Sequence, residues 1–359
     1  MKPKVHLFRC SSDTPLAKRQ EAIASLLGLC NIFSRMPDKG PIAVKTHFGE
    51  GKCTGYIRPE MIKPAVDMLD VEGYEPFLTD TNTLYKGRRH NSVQHLRLAH
   101  EHGFSFETLG CPVIISDGLR GNNEELIEIS GERFESVPIA GDIVCSRGIV
   151  VFSHFTGHIA AGFGAAIKNL AMGCSPRRGK LMQHASMHPW VEQAECIACG
   201  TCEQWCPEDA IEMRPKAYIL DDRCVGCGEC ITVCPTMAVK FSWKQEHEVL
   251  VESMAEFAAA AVKAVKGRAV FLNVLMHVSK GCDCLNKAQE RIAPDIGILA
   301  STDPVAIDKA SLDMFSKTAG KPLNELIEQE REQDGMQQLR HAVKMGLGDM
   351  EYELNEVEV

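Results

Sequence analysis

The chain has 359 residues, 45% hydrophobic and 24% charged, the balance of a globular protein with a sizeable core and room for more than one small unit. A net charge of −9 argues against a nucleic-acid partner, and no apolar run approaches the length that spans a bilayer, so a membrane role is not expected. Sixteen cysteines in such a chain imply a reducing compartment, and a cytoplasmic location is the expectation.

From the amino terminus, short apolar runs alternate with helical patterns, as when parallel strands are joined by crossover helices. Strands are expected at Val5–Phe8, Ile42–His47, Phe77–Asp80, Val113–Ser116 and Ile149–Ser153. Helices are expected at Pro59–Leu69 and Asn91–His102, the second with Asn91 as N-cap and with Val93, Leu96 and Ala99 or His100 on one face. Gly162-Phe163-Gly164 then opens a helical pattern carrying Lys168 and Asn169. It is neither a dinucleotide fingerprint nor a Walker loop, and it suits close helix packing better than anion binding. The basic run Arg177-Arg178-Gly179-Lys180 could hold an anionic partner, but it reads better as a solvated loop.

Two copies of C-x2-C-x2-C-x3-C-P follow: Cys196, Cys199, Cys202 and Cys206 before Pro207, then Cys224, Cys227, Cys230 and Cys234 before Pro235. This spacing wraps three thiolates around one 4Fe-4S cluster and turns the fourth toward the other cluster. The expected sets are Cys196, Cys199, Cys202 and Cys234, and Cys224, Cys227, Cys230 and Cys206. A zinc site needs only four ligands, and a disulfide framework belongs to short secreted chains. The repeat extends past the cysteines, since Pro207-Glu208-Asp209-Ala210-Ile211 is echoed by Pro235-Thr236-Met237-Ala238-Val239. Trp190, Trp205 and Trp243 flank or lie inside this segment, where packing against a host domain accounts for them.

Beyond it the alternation resumes, with a helix expected at Glu246–Lys266, strands at Val270–His277 and Ile296–Ala300, and a helix opening at Thr302-Asp303-Pro304. The expected fold is α/β, a largely parallel sheet flanked by helices, built from residues 1–187 and 246–359. A small α+β ferredoxin-like insert at 188–245 interrupts it.

Ligands of open α/β sheets sit at the carboxyl ends of the strands. Lys45, His47, Asp80, His154, His158, His277 and Asp303 all fall at or just past expected strand ends. Lys45, His47, His154, His158 and Lys168 are the candidate catalytic residues, and Gly162, Gly164 and Asn169 the candidate cofactor contacts, for a small anion, metal or further cofactor. His154 and His158 have metal-ligand spacing if helical, but Phe155 stands where a zinc hydrolase places its base. Cys282 and Cys284 flank Asp283, and with Cys174 they offer three thiols for a metal or a redox pair, although burial as small apolar residues is the commoner fate.

Several segments resemble the domain-of-unknown-function 362 family: Val44-Lys45-Thr46-His47-Phe48-Gly49-Glu50, Ser153-His154-Phe155-Thr156-Gly157-His158, Gly162–Leu170, Gly281-Cys282-Asp283-Cys284 and Asp295–Asp308. The resemblance spans nearly the whole chain and implies a two-cluster ferredoxin insert, without assigning a reaction. The preferred function is electron transfer through two 4Fe-4S clusters to or from a redox partner protein or a small-molecule donor or acceptor. The alternatives are an oxidoreductase acting on a small anion in the α/β cleft and a noncatalytic sensor or assembly protein.

Overall fold

The computed structural model describes residues 2–358 apart from 86, 159, 185–188, 207, 225–227, 241–246 and 328–334. Eight strands form the central sheet: β1 Lys4–Phe8, β2 Pro41–Lys45, β3 Glu75–Asp80, β4 Val113–Ile115, β5 Ile149–His154, β6 Ala269–Leu275, β7 Gly297–Ser301 and β8 Glu353–Glu356. Their order is β8-β1-β7-β6-β5-β2-β3-β4. Only β7 runs against its neighbours; every other adjacent pair is parallel. The mixed α/β fold with a mostly parallel sheet is thus as expected, and the antiparallel β7 was not legible from apolar runs alone.

The strands are apolar on both faces because helices cover both. Ile149 and Val151 face a core shared with helices α4 (Ala166–Gly173), α6 (His247–Ala264) and α7 (Pro304–Ala319). Val150 and Phe152, one residue out of phase, face a second core shared with α1 (Leu16–Leu29) and α2 (Pro59–Val71). Strand order rises from β2 to β4 toward one edge, then the chain returns to place β5 on the other side of β2. The crevice between β2 and β5 is therefore the switch point at which ligands of such sheets bind.

Helix α3 (Ser92–Glu101) has the expected cap, with the Asn91 side chain accepting from the Gln94 amide, but a different inner face. Val93 and Leu96 are exposed, while His95, Leu98 and Ala99 are buried. His95 lies edge-on to Phe48, with ring centroids 5.4 Å apart, so a histidine occupies the place that an aliphatic reading gave to Leu96. The basic run is also not a solvated loop: it opens helix α5 (Arg177–His184), in which Arg177 and Lys180 are buried. The strand expected to reach His277 stops at Leu275, and His277 turns away with φ 54° while its amide donates to Asp295.

The cysteine-rich segment has its own small core. Trp190–Val191 pairs antiparallel with Val239–Lys240, and Ile211–Met213 with Ala217–Ile219; two short helices, Thr201–Gln204 and Glu229–Val233, complete the described elements. Ile211, Ile219, Ile231 and Val239 pack there with two residues of the α/β part, Leu84 and Leu181. Leu181 approaches Gly228 so closely that a Cβ there would lie 2.0 Å from its Cδ2, so only glycine fits this contact. Trp190 and Trp205 are about half exposed instead of packed against the host, and Trp243 lies outside the described residues, as do the expected junctions at 187/188 and 245/246.

Candidate functional site

At the carboxyl ends of β2, β3 and β5 lies a cavity of about 400 Å³. The buried Lys45 at the end of β2 sets its floor. Its Nζ lies 3.1 Å from Asp80 Oδ1 at the end of β3 and 2.7 Å from Asn169 Oδ1 on α4. Asn169 in turn donates to the Phe152 carbonyl and Ser153 Oγ, which ties α4 to β5. Helix α4 is held at its N-terminus by the buried Asp308 of α7, which accepts from the Ala166 and Ile167 amides at 2.9 Å. Gly173 closes the same helix where a Cβ would lie 2.3 Å from Lys45 Nζ.

Around Asp80 the charges are dense and paired. Arg89 reaches Glu50 at 3.1 Å and Asp80 at 3.5 Å, all three side chains less than 5% exposed. Burial alone would raise the Asp80 pKa, but the charges of Lys45 and Arg89 hold it well below the usual carboxylate range. His47 accepts the Gly49 amide at Nδ1, and burial, then Arg89, keeps its ring neutral.

Both ring nitrogens of His154 face acceptors: Nδ1 is 2.8 Å from Asp283 Oδ2 and Nε2 is 2.8 Å from the Met276 carbonyl. Burial opposes its charge, yet Asp283 and the carbonyl raise its pKa, while that of Asp283 falls to about 2. His154 lies in a strand, not a helix, and with both nitrogens engaged it does not act as a metal ligand here. His158, in the hairpin of Thr156–His158 and Gly162–Gly164, accepts the Ala160 and Ala161 amides at Nδ1. Burial, then Lys168 and His184, depresses its pKa well below the usual value. Burial also brings Lys168 down to about 8.

Lys45, His47, His154, His158, Lys168, Gly164 and Asn169 all line the cavity; Gly162 does not, being paired opposite His158 in the hairpin. Asp80 lines it as well, whereas His277 and Asp303 lie elsewhere. Asp303 caps α7 through the Val305 and Ala306 amides. Cys174 is buried in the core, so the three thiols do not gather. Cys282 and Cys284 instead line the cavity, joined as a disulfide, beside His158.

Arg89, His184 and His247 line the cavity without having been singled out, and so does Lys180, named before only as part of the basic run. Lys180 and His184 stand one turn apart on α5, while Leu181 of the same helix enters the cysteine-segment core. Their spacing was the available signal, obscured by the reading of their segment as a loop. Among the lining residues Lys45, Arg89, Lys168 and Lys180 outnumber Asp80 and Asp283, so the cavity is electropositive and suited to an anion.

Two small cavities lie in the cysteine segment. Cys196, Cys199, Cys202 and Cys234 line one; Cys206, Cys224 and Cys230 line the other, with Cys227 outside the described residues. The Ala210 amide donates to Cys206 Sγ and the Ala238 amide to Cys234 Sγ, each at 3.2 Å. All-sulfur donor sets with amide hydrogen bonds to the sulfurs fit iron–sulfur ligation.

Fold and cavity together define an α/β protein with a ligand-sized, electropositive crevice at the carboxyl ends of its parallel strands. The family model described as Domain of unknown function (DUF362) matches residues 42–313, and the chain belongs to that family. No curated protein matches the sequence. Among solved structures, the lactate racemase apoprotein from Thermoanaerobacterium thermosaccharolyticum is similar at 13% identity and a TM-score of 0.39, over 76% of this chain and 51% of that one. A Thermotoga maritima protein solved as a structural-genomics target is similar at 10% identity and a TM-score of 0.43, over 87% of this chain and 59% of that one. The chain thus spans about half to three-fifths of these proteins' lengths. No helix among the described residues is long and apolar enough to cross a membrane.

Proposed function

We propose that this chain is an iron–sulfur electron-transfer protein whose ferredoxin-like segment serves redox chemistry on a small anion held in the α/β cavity. Cys196, Cys199, Cys202 and Cys234 hold one 4Fe-4S cluster, and Cys224, Cys227, Cys230 and Cys206 a second. The crossed membership of the two cysteine-lined cavities carries this reading: Cys234 joins the first run and Cys206 the second. When bound, such clusters supply reversible one-electron transfer, and complete thiolate ligation leaves no iron position for substrate.

The chain's own residues do the rest. The Ala210 and Ala238 amides and the Thr201 hydroxyl hydrogen-bond the sulfurs of Cys206, Cys234 and Cys199 and so orient them. Helix α5 connects the two regions, with Leu181 in the cysteine-segment core and Lys180 and His184 on the cavity. In the cavity, Lys168 binds and orients an anion, while the Lys45–Asp80–Asn169 contacts hold the floor rigid. A cavity of this size with four cationic side chains favours an oxidoreductase over a passive carrier or sensor. A redox partner protein or small molecule supplies or takes the electrons, and a reducing compartment such as the cytoplasm keeps the thiolates free.

Anaerobically purified protein is expected to carry about eight iron and about eight acid-labile sulfide per chain, as two cubane clusters require. Stoichiometric zinc with little sulfide would overturn the reading.

A further inference from the structure

We infer that Cys282 and Cys284 form a redox-active pair that takes up two electrons inside the cavity, an inference that rests on the electron-transfer reading above. They are bonded to each other, the one disulfide among the described cysteines. Both line the cavity, Cys282 buried and Cys284 partly exposed to it, so a bound molecule reaches the pair without the chain opening.

The surroundings hold the pair still. Asp283, the single residue between the cysteines, accepts from His154 at Oδ2 and from the Cys53 thiol at Oδ1, and its carbonyl takes the Glu50 amide. A ring nitrogen of His158 and the two sulfurs all lie within 4.8 Å of one another. The positive charge of Lys168 in the same cavity favours a thiolate as one forms.

The step balances. The sulfur–sulfur bond breaks, each sulfur gains one electron and one proton, and disulfide plus two electrons plus two protons gives two thiols. The reductant is the iron–sulfur class proposed above: two one-electron centres match one two-electron acceptor. A physical connection joins the regions, since Leu84 belongs to the cysteine-segment core and the adjacent Tyr85 donates its hydroxyl to the Cys284 carbonyl at 3.3 Å. The pair therefore converts single-electron delivery into the paired delivery that most small organic substrates require.

The test uses the full chain, with its iron and sulfide counted first. The protein is equilibrated anaerobically in buffers of varied reduced-to-oxidised dithiothreitol, quenched in acid, and alkylated. Mass spectrometry then reads the peptide containing Cys282 and Cys284. Its label is expected to rise reversibly from none to two in a single step, while the exposed Cys145 is labelled throughout. Stoichiometric dithionite is expected to produce the same doubly labelled peptide in cluster-loaded protein. A peptide that stays fully labelled or unlabelled at every ratio would overturn the proposal. So would one zinc per chain that Cys284→Ser releases, because the same three donors would then be a metal site. If dithiothreitol converts the pair and reduced clusters do not, the pair stands and the relay reading fails.

Discussion

His154 Nδ1 and Asp283 Oδ2 lie 2.8 Å apart, and this one contact joins the end of β5 to the residue between Cys282 and Cys284. The side chains are 3% and 6% exposed, so breaking the pair leaves a buried charge without a partner, at a cost of about 3 kcal/mol. The pH dependence has two edges. The raised His154 pKa gives stability that is present below about pH 6.5 and lost as pH rises through its folded value. The depressed Asp283 pKa gives stability present above about pH 3.9 and lost as pH falls toward about 2. Asp283→Asn is therefore expected to cost most near pH 6 and clearly less near pH 9, read from urea midpoints at the two values. An equal loss at both would mean that the histidine is not held in its charged form.

Anion binding should follow the charge on Lys168. Burial brings its pKa to about 8, so the ammonium is present below that value and is lost above it. Phosphate affinity, measured by calorimetry, is expected to fall as pH rises through about 8. Lys168→Arg should make that fall shallower, since the guanidinium stays charged while Lys180, which burial also brings to about 8, still titrates. Lys168→Met should weaken binding at least tenfold at neutral pH, with the iron content unchanged. A pH-independent affinity in the wild type would place the anion elsewhere.

Asp308 touches no part of the cavity yet sets the position of α4. Burial raises its pKa to about 7, against about 3.9 in the unfolded chain. The folded state therefore binds the extra proton between these values, and stability falls as pH rises through that window. Asp308→Ala should remove this slope and cost about 2 kcal/mol, because the buried amides of Ala166 and Ile167 lose their acceptor. Because Lys168 and Asn169 ride on the same helix, phosphate affinity should fall with it.

Much of this arrangement was legible before any coordinates. Apolar runs located every strand of the central sheet except β8, whose Glu353–Glu356 is too acidic to stand out, and the ends of those runs picked out Lys45, His47 and His154, because strand direction alone decides which loops converge. The cavity's far side was not legible. Lys180 and His184 are brought in by a helix whose sequence, Arg177-Arg178-Gly179-Lys180, has low apolar content, and its burial follows from contacts with Thr81, Ser175 and the cysteine segment. Asp303 caps α7, as the Thr302-Asp303-Pro304 opening led one to expect. His277 shows the opposite failure: it follows an expected strand but turns outward in a left-handed conformation, a detail that depends on local backbone angles.

Cys206 offers a direct probe of crossed ligation. It follows the first run in sequence but lines the cavity of Cys224 and Cys230. Cys206→Ala is expected to damage that second cluster and leave the Cys196, Cys199, Cys202 and Cys234 cluster intact, with iron falling from about eight toward about four per chain. Selective loss of the first cluster would reject the crossed assignment.

The central claim is that two iron–sulfur centres move electrons through this chain, and an anaerobic reductive titration followed by electron paramagnetic resonance tests it most directly. The account predicts two one-electron iron–sulfur signals that grow with added reductant, and a return to the oxidised spectrum on reoxidation. A protein that takes up no electrons at iron, or that remains silent with zinc in the cysteine sites, would contradict it.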